Sequence, residues 1–145
     1  MSISSLRHIF RRATLGVRAI IINAKGEVLL VQHSYMEGWY FPGGGVETGE
    51  SAMTALTREL AEEANIQLIG PPKLHGIFLN SHVSRRDYVA LYTVREFRQD
   101  GPPHPNHEII AHGFFSPEAL PEGASRATRA RIGEVFRGEA ISEIW

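Results

Sequence analysis

The chain has no cysteine. That excludes disulfides and thiolate metal sites, and it fits a reducing compartment, so a cytoplasmic location is expected. No apolar run approaches the roughly 20 residues that cross a bilayer, and there is no secretory h-region. No membrane partner is therefore expected. No charge of either sign dominates: 15 Lys and Arg against 16 Asp and Glu leave a net −1. Without a basic stripe or a base-stacking array, nucleic acid is not an expected partner. Internal repeats and low-complexity tracts are also absent. What is present is ordinary for a globular protein, 145 residues with 43% hydrophobic content. A chain of that size forms one domain and buries roughly 68–70% of its unfolded surface.

Acidic residues are missing before Glu27. Ile3, Leu6, Ile9 and Phe10 have helical spacing, and Arg7, His8, Arg11 and Arg12 make the segment basic. Residues 1–13 read as a basic arm or short helix packed on the domain formed by residues 14–145. A transit peptide shares this amphipathic, Arg-rich character, and a membrane-surface helix does so more weakly. The arm is preferred because a stretch of about 13 residues is short for a targeting signal.

Hydrophobic patterning outlines the rest. Gly16 to Ile22 is an apolar, β-branched run that reads as a buried strand. The Asn23–Gly26 turn returns the chain into a strand over Val28 to Gln32, and the two predict a hairpin. His33 to Gly38 and Phe41 to Gly49 read as loops. Ser51 is an N-cap for a helix running to Ala64, with Met53, Leu56 and Leu60 docking it to a sheet. Leu74 to Asn80, Tyr88 to Phe97 and Glu108 to Phe115 read as further strands. A last helix carries the stripe Thr128, Ile132, Val135 and Phe136, with Arg126, Arg129 and Arg131 on its wet face. Strands, helix, strands and helix in that order predict a sheet between helices.

One stretch carries the chemistry. Gly44 to Ile66, GGVETGESAMTALTRELAEEANI, passes from a glycine-rich turn into the first helix. At about 100° per residue, Glu59, Glu62 and Glu63 fall within an arc of about 100°. Glutamates at these spacings repel by about 0.2–0.5 kcal/mol per exposed pair. A divalent cation at that face would reverse the sign. Oxygen-only ligands suit Mg²⁺ or Mn²⁺, and Mg²⁺ sites of this type commonly also hold substrate phosphate. The alternative is a helix face of solvated charges. It does not account for three acids without a lysine on one arc behind a Pro-Gly-Gly-Gly run.

The same stretch resembles the Nudix box, G-x5-E-x7-R-E-U-x-E-E-x-G-U, where U is bulky and aliphatic. Gly44, Glu50, Arg58, Glu59, Leu60, Glu62, Glu63 and Ile66 match at the required spacing. Asn65 stands where the pattern has glycine. That is a mild departure, since a helix exit wants left-handed backbone and Asn adopts it next best after Gly. The lead-in Gly38 to Gly45, and Glu108 with Phe114 to Pro121, also resemble family segments, so the likeness spans about Gly16 to Pro121.

The resemblance implies an α/β fold of α+β type, an α/β/α sandwich with a mixed sheet. It implies a hydrolase that cleaves a diphosphate linkage by attack of metal-activated water, with Mg²⁺ or Mn²⁺ as cofactor. It assigns Glu59, Glu62 and Glu63 to the metal, with the Gly43 and Gly44 backbone beside it. Arg58 holds a carboxylate in place and Glu50 supports the site. Glu62 and Glu108 are both candidates for the general base. The expected substrate is a small nucleotide, namely a nucleoside diphosphate linked to another moiety, and the expected state is monomer or homodimer. Arg18 is read as a phosphate ligand or a surface ion pair, and Trp39 and Tyr40 as base-stacking or core residues. The histidines lack zinc spacing and read as ordinary loop or strand residues. A rival function is a module that binds nucleotide without cleaving it.

Overall fold

The computed structural model describes residues 12–104 and 108–145. Most of the expected N-terminal arm, residues 1–11, lies outside the described residues, as does His107.

The core is organised by alternation along the first strand, β1 (Thr14–Ile21). Val17, Ala19 and Ile21 point to one cluster, while Ile20 and the following Ile22 point to a second. In extended chain successive side chains face opposite ways, so a strand buried on both faces must be apolar throughout. β2 (Val28–His33) repeats the pattern, with Leu29 in the first cluster and Val28 and Leu30 in the second. A helix closes each side. α1 (Ala52–Ala64) contributes Ala55, Leu56, Leu60 and Ala64 to the first cluster, and α2 (Arg126–Arg137) contributes Ile132 to the second. The α/β/α sandwich with a mixed sheet is thus what the chain forms.

The remaining strands are β3 (Met36–Tyr40), β4 (Gly43–Gly45), β5 (Gln67–Leu68), β6 (Lys73–Leu79), β7 (Asp87–Val94), β8 (Phe97–Arg98) and β9 (Ile109–Phe115). They form a mixed sheet β4-β1-β7-β6, a sheet β3-β2-β9 and a small pair β5-β8. β1 runs parallel to β7 and antiparallel to β4, with Val17 opposite Gly44 and Arg18 opposite Gly43. Among the described residues no helix is long and apolar enough to cross a membrane.

Several expectations are corrected. β1 and β2 do not form a hairpin. Both edges of β1 are taken by β4 and β7, and the backbone pairing between the two segments is the isolated Ile22–Val28 bridge. β2 instead pairs with β3, inside a stretch expected to begin as loop, and with β9. The glycine run at 43–45 is strand rather than loop. Met53 is 39% exposed, and in the first turn of α1 it is Ala52 that packs on the core.

Arg131 is also corrected: it is buried, not on a wet face. Its guanidinium lies 3.0 Å from Glu134, donates to the Ile144 carbonyl at 2.9 Å and stacks 4.5 Å from the Phe78 ring centre. Glu134 in turn accepts from Ser142 N–H at 2.9 Å and contacts His75 at 2.8 Å. A buried charge is tolerated only when paired and hydrogen-bonded, as this one is. The pair holds the segment 142–145 against β6, where Leu79 exchanges backbone hydrogen bonds with Glu143 and Trp145.

The caps of α1 are as expected. Ser51 Oγ accepts from Thr54 N–H at 3.0 Å. Asn65 closes the helix in left-handed backbone, φ 53° and ψ 40°. Its side-chain amide also donates to the Gly101 carbonyl at 3.3 Å. Asn65→Ala should therefore lower stability by about 1–2 kcal/mol, the cost of a left-handed Cβ without Asn's local hydrogen bonding. Asn65→Gly should change it by less than about 1 kcal/mol, since strain relief offsets the lost amide contact. Urea unfolding of both variants checks the contrast.

Candidate active site

β4 sits between β1 and the carboxylate face of α1, and that placement needs a chain without side chains. A Cβ at Gly43, whose φ is 154°, would run into the Val17 carbonyl and Arg18. A Cβ at Gly44 would run into the Glu59 carboxylate. Glycine is disfavoured in a strand interior, so its presence marks a close approach. The approach lets Gly43 N–H donate to Glu63 Oε2 at 3.3 Å.

A cleft of about 560 Å³ opens over this strand. Its lining brings together Arg18, Gly43, Gly44, Glu59, Glu63 and Glu108, which come from β1, β4, α1 and the residue just before β9. Arg18 is not a free surface cation: its Nη1 donates to the Phe41 carbonyl at 2.7 Å. Among the lining residues to which sequence reasoning gave no site role are His33 and Tyr35. Nothing in their spacing distinguishes them; a strand bulge and a turn bring them there.

Arg58 fixes the outer part of the site. Its Nε and Nη2 donate to the two Glu50 oxygens at 2.9 and 2.8 Å, a bidentate pair. Its Nη1 donates to Glu59 Oε1 at 2.9 Å, and Nη2 also reaches the Gly45 carbonyl at 3.3 Å. One planar guanidinium thus ties α1, β4 and the intervening loop together, which a lysine could not do. The Arg58 hydrogen bonds lower the Glu50 pKa to about 2. Those to Glu50, and secondarily to Glu59, raise that of Arg58.

The expected acids are not equivalent. Glu63 is 6% exposed, and burial raises its pKa to about 7, against the opposing Gly43 hydrogen bond and Arg18 charge. Burial also raises Glu59, with Arg58 opposing. The Glu62 side chain is 62% exposed, 3.8 Å from Arg58, and does not line the cleft. Trp39 does not line it either. It packs edge-on against Phe115 with centroids 5.0 Å apart, which is the core alternative.

Among the described residues no three acids or histidines are already gathered around one point. Two inward carboxylates, Glu59 and Glu63, fit a hard cation that keeps waters and takes further oxygens from a phosphate, the manner in which Mg²⁺ is usually held. A buried carboxylate whose one hydrogen bond is a 3.3 Å backbone contact also gains from a nearby cation.

A pH dependence follows for the metal-free protein. The folded state keeps the Glu63 proton up to about pH 7, whereas the unfolded chain releases it at the ordinary glutamate value. Between those values the folded state binds more protons, so stability falls as pH rises through the window. In chelator, melting temperature should fall from pH 5 to pH 8, and Glu63→Gln should flatten that fall by removing the titrating group.

A family model described as the NUDIX domain matches residues 12–136. Diphosphoinositol polyphosphate phosphohydrolase 2 of Rattus norvegicus is 45% identical over 76 residues, 51% of this chain and 41% of that protein. RNA pyrophosphohydrolase of Shewanella piezotolerans is 43% identical over 56 residues, 39% of this chain and 31% of that protein. The chain thus matches less than half the length of either curated relative. Among solved structures, the MutT NUDIX hydrolase of Burkholderia pseudomallei superposes with TM-score 0.73 at 25% identity, over 86% of this chain and 99% of that one. An ADP-ribose pyrophosphatase of Streptococcus suis gives 0.67 at 26%, over 89% and 96%. The glycine strand and the acidic helix lie inside the matched span, and with most of its length covered the chain belongs to the NUDIX family.

Proposed function

We propose that this protein is a divalent-metal-dependent hydrolase of a diphosphate linkage, acting on a nucleoside diphosphate joined to another moiety. The observation that carries the reading is the convergence of Glu59, Glu63, Arg18 and Glu108 on one cleft floored by the Gly43–Gly45 backbone. The relatives' names support the chemistry: a diphosphoinositol polyphosphate phosphohydrolase, an RNA pyrophosphohydrolase and an ADP-ribose pyrophosphatase. Their substrates share a phosphoanhydride and differ in what is attached to it.

Glu59 and Glu63 would hold Mg²⁺ or Mn²⁺. Glu62, exposed at the rim, would join them by rotation of its side chain. The ion supplies charge neutralisation on phosphate oxygens and a more acidic water. The chain does the rest. Arg58 keeps Glu59 and Glu50 in fixed orientation. Arg18, held by the Phe41 carbonyl, keeps donors for a phosphate oxygen. Glu108 is the better-placed base, because it lines the cleft while Glu62 lies outside it. It takes the proton of the attacking water as the phosphorus–oxygen bond to the leaving phosphate breaks.

Purified protein incubated with nucleoside diphosphate derivatives and Mg²⁺ or Mn²⁺ should release two phosphorylated products, identified by mass. Nucleotide binding with no product would instead mark a sensor. Glu62→Gln and Glu63→Gln should each lower turnover at least about a hundredfold, the scale of a misplaced catalytic group. Glu108→Gln should lower kcat at least about a hundredfold with Mg²⁺ binding unchanged, whereas a kcat near wild type returns the base to Glu62.

A further inference from the structure

β2 ends irregularly. Its register shifts at His33 against both neighbours, between Val31 and His33 toward β3 and between Gln32 and His33 toward β9. A bulge re-aims the side chain that follows it. Here it turns an imidazole into the cleft shared with Glu59, Glu63 and Arg18. His33 is 3% exposed, and neither ring nitrogen has a hydrogen-bond partner among the described residues. Its neighbours on β2, Val28 to Val31, are fully buried aliphatic residues. For packing alone another aliphatic side chain would serve better, because a buried polar group without a partner destabilises.

The groups around the ring explain why it stays unpartnered. Tyr35 and Tyr40 lie with ring centres 5.2 and 6.0 Å away. The Tyr40 hydroxyl is committed to the Glu37 carbonyl. Tyr35 screens the imidazole but is itself 70% exposed, so its ring can turn by the fast rotamer motion of a surface side chain. Burial and the Arg18 charge keep the imidazole below its ordinary pKa, with Glu108 opposing. A neutral imidazole offers one donor and one acceptor.

We propose that His33 is a ligand-contacting residue of the cleft, a ring N–H donating to a phosphate oxygen of a diphosphate held at Arg18 once the Tyr35 ring has turned aside. The assignment rests on the diphosphate reading above, and it gives His33 a role in binding rather than in proton transfer. Arg18 supplies charge, and the imidazole supplies a directional hydrogen bond.

Ring ¹⁵N spectra of the full chain with Mg²⁺, titrated with non-hydrolysable imidodiphosphate, test this directly. The His33 ring signals should move with saturation. His33→Phe should bind imidodiphosphate about tenfold more weakly, the loss of one hydrogen bond to a charged group. Its KM should rise with kcat little changed, and His33→Asn, which keeps a donor, should recover part of the affinity. Ring signals unmoved at saturation, or a folded His33→Phe that binds as the wild type does, would overturn the proposal. If His33→Phe does not fold, the wild-type titration decides alone. Diphosphate hydrolysis with a silent His33 removes this contact and leaves the activity standing. A responsive His33 in a protein that hydrolyses no diphosphate does the reverse.

Discussion

The distance between bare backbone and carboxylate at β4 governs the site. Gly43 and Gly44 lie where a single methyl group would collide with β1 on one side and with Glu59 on the other. The spacing is set from two directions. Leu56 and Leu60 anchor α1 in the core, and the Val17–Gly44 and Arg18–Gly43 pairs anchor β4 to β1. Neither contact can relax without moving the other. Interiors this densely packed transmit displacement rather than absorb it. The glycines thus fix where the acids stand as firmly as the helix does.

The charges are sorted by depth. At the rim, Glu50 is held ionised by a bidentate guanidinium, and that same guanidinium reaches inward to Glu59. Deeper, Glu63 has a peptide N–H and the more distant Arg18 charge to favour its ionised form. The protein's own cations therefore satisfy Glu50, offset the burial of Glu59 only in part, and leave Glu63 short of positive charge. That imbalance is costly in isolation and suits a cleft built to receive a dication. It also separates residues that look alike in the sequence, since Glu59, Glu62 and Glu63 differ in exposure and in partners.

How far the sequence could be read depended on how local the determinant was. Ser51, Asn65 and the Glu59/Glu62/Glu63 spacing act within a few residues, so the first helix and its acidic face were legible at once. The same holds for the nearly continuous apolar run of β1. What depended on distant chain was not. Gly43 to Gly45 is strand only because β1 and α1 leave room for nothing larger. The β1–β2 hairpin looked natural from the intervening turn, but strands arriving from positions 43 and 87 occupy both edges of β1. Arg131 shared its helical spacing with solvated arginines, and Glu134, the Ile144 carbonyl and the Phe78 ring make its burial tolerable. His33 gave no signal, because a bulge changes where a side chain points without changing the residue.

The segment that Arg131 and Glu134 hold down has a bearing on how the molecule meets its neighbours. β6 is the outermost strand of its sheet, and exposed outer strands invite other chains to dock by backbone pairing. Here that row of peptide groups is already engaged at Leu79 by Glu143 and Trp145. The chain thereby shields part of its own margin from self-association, and a buried ion pair on the opposite helix acts as the fastener.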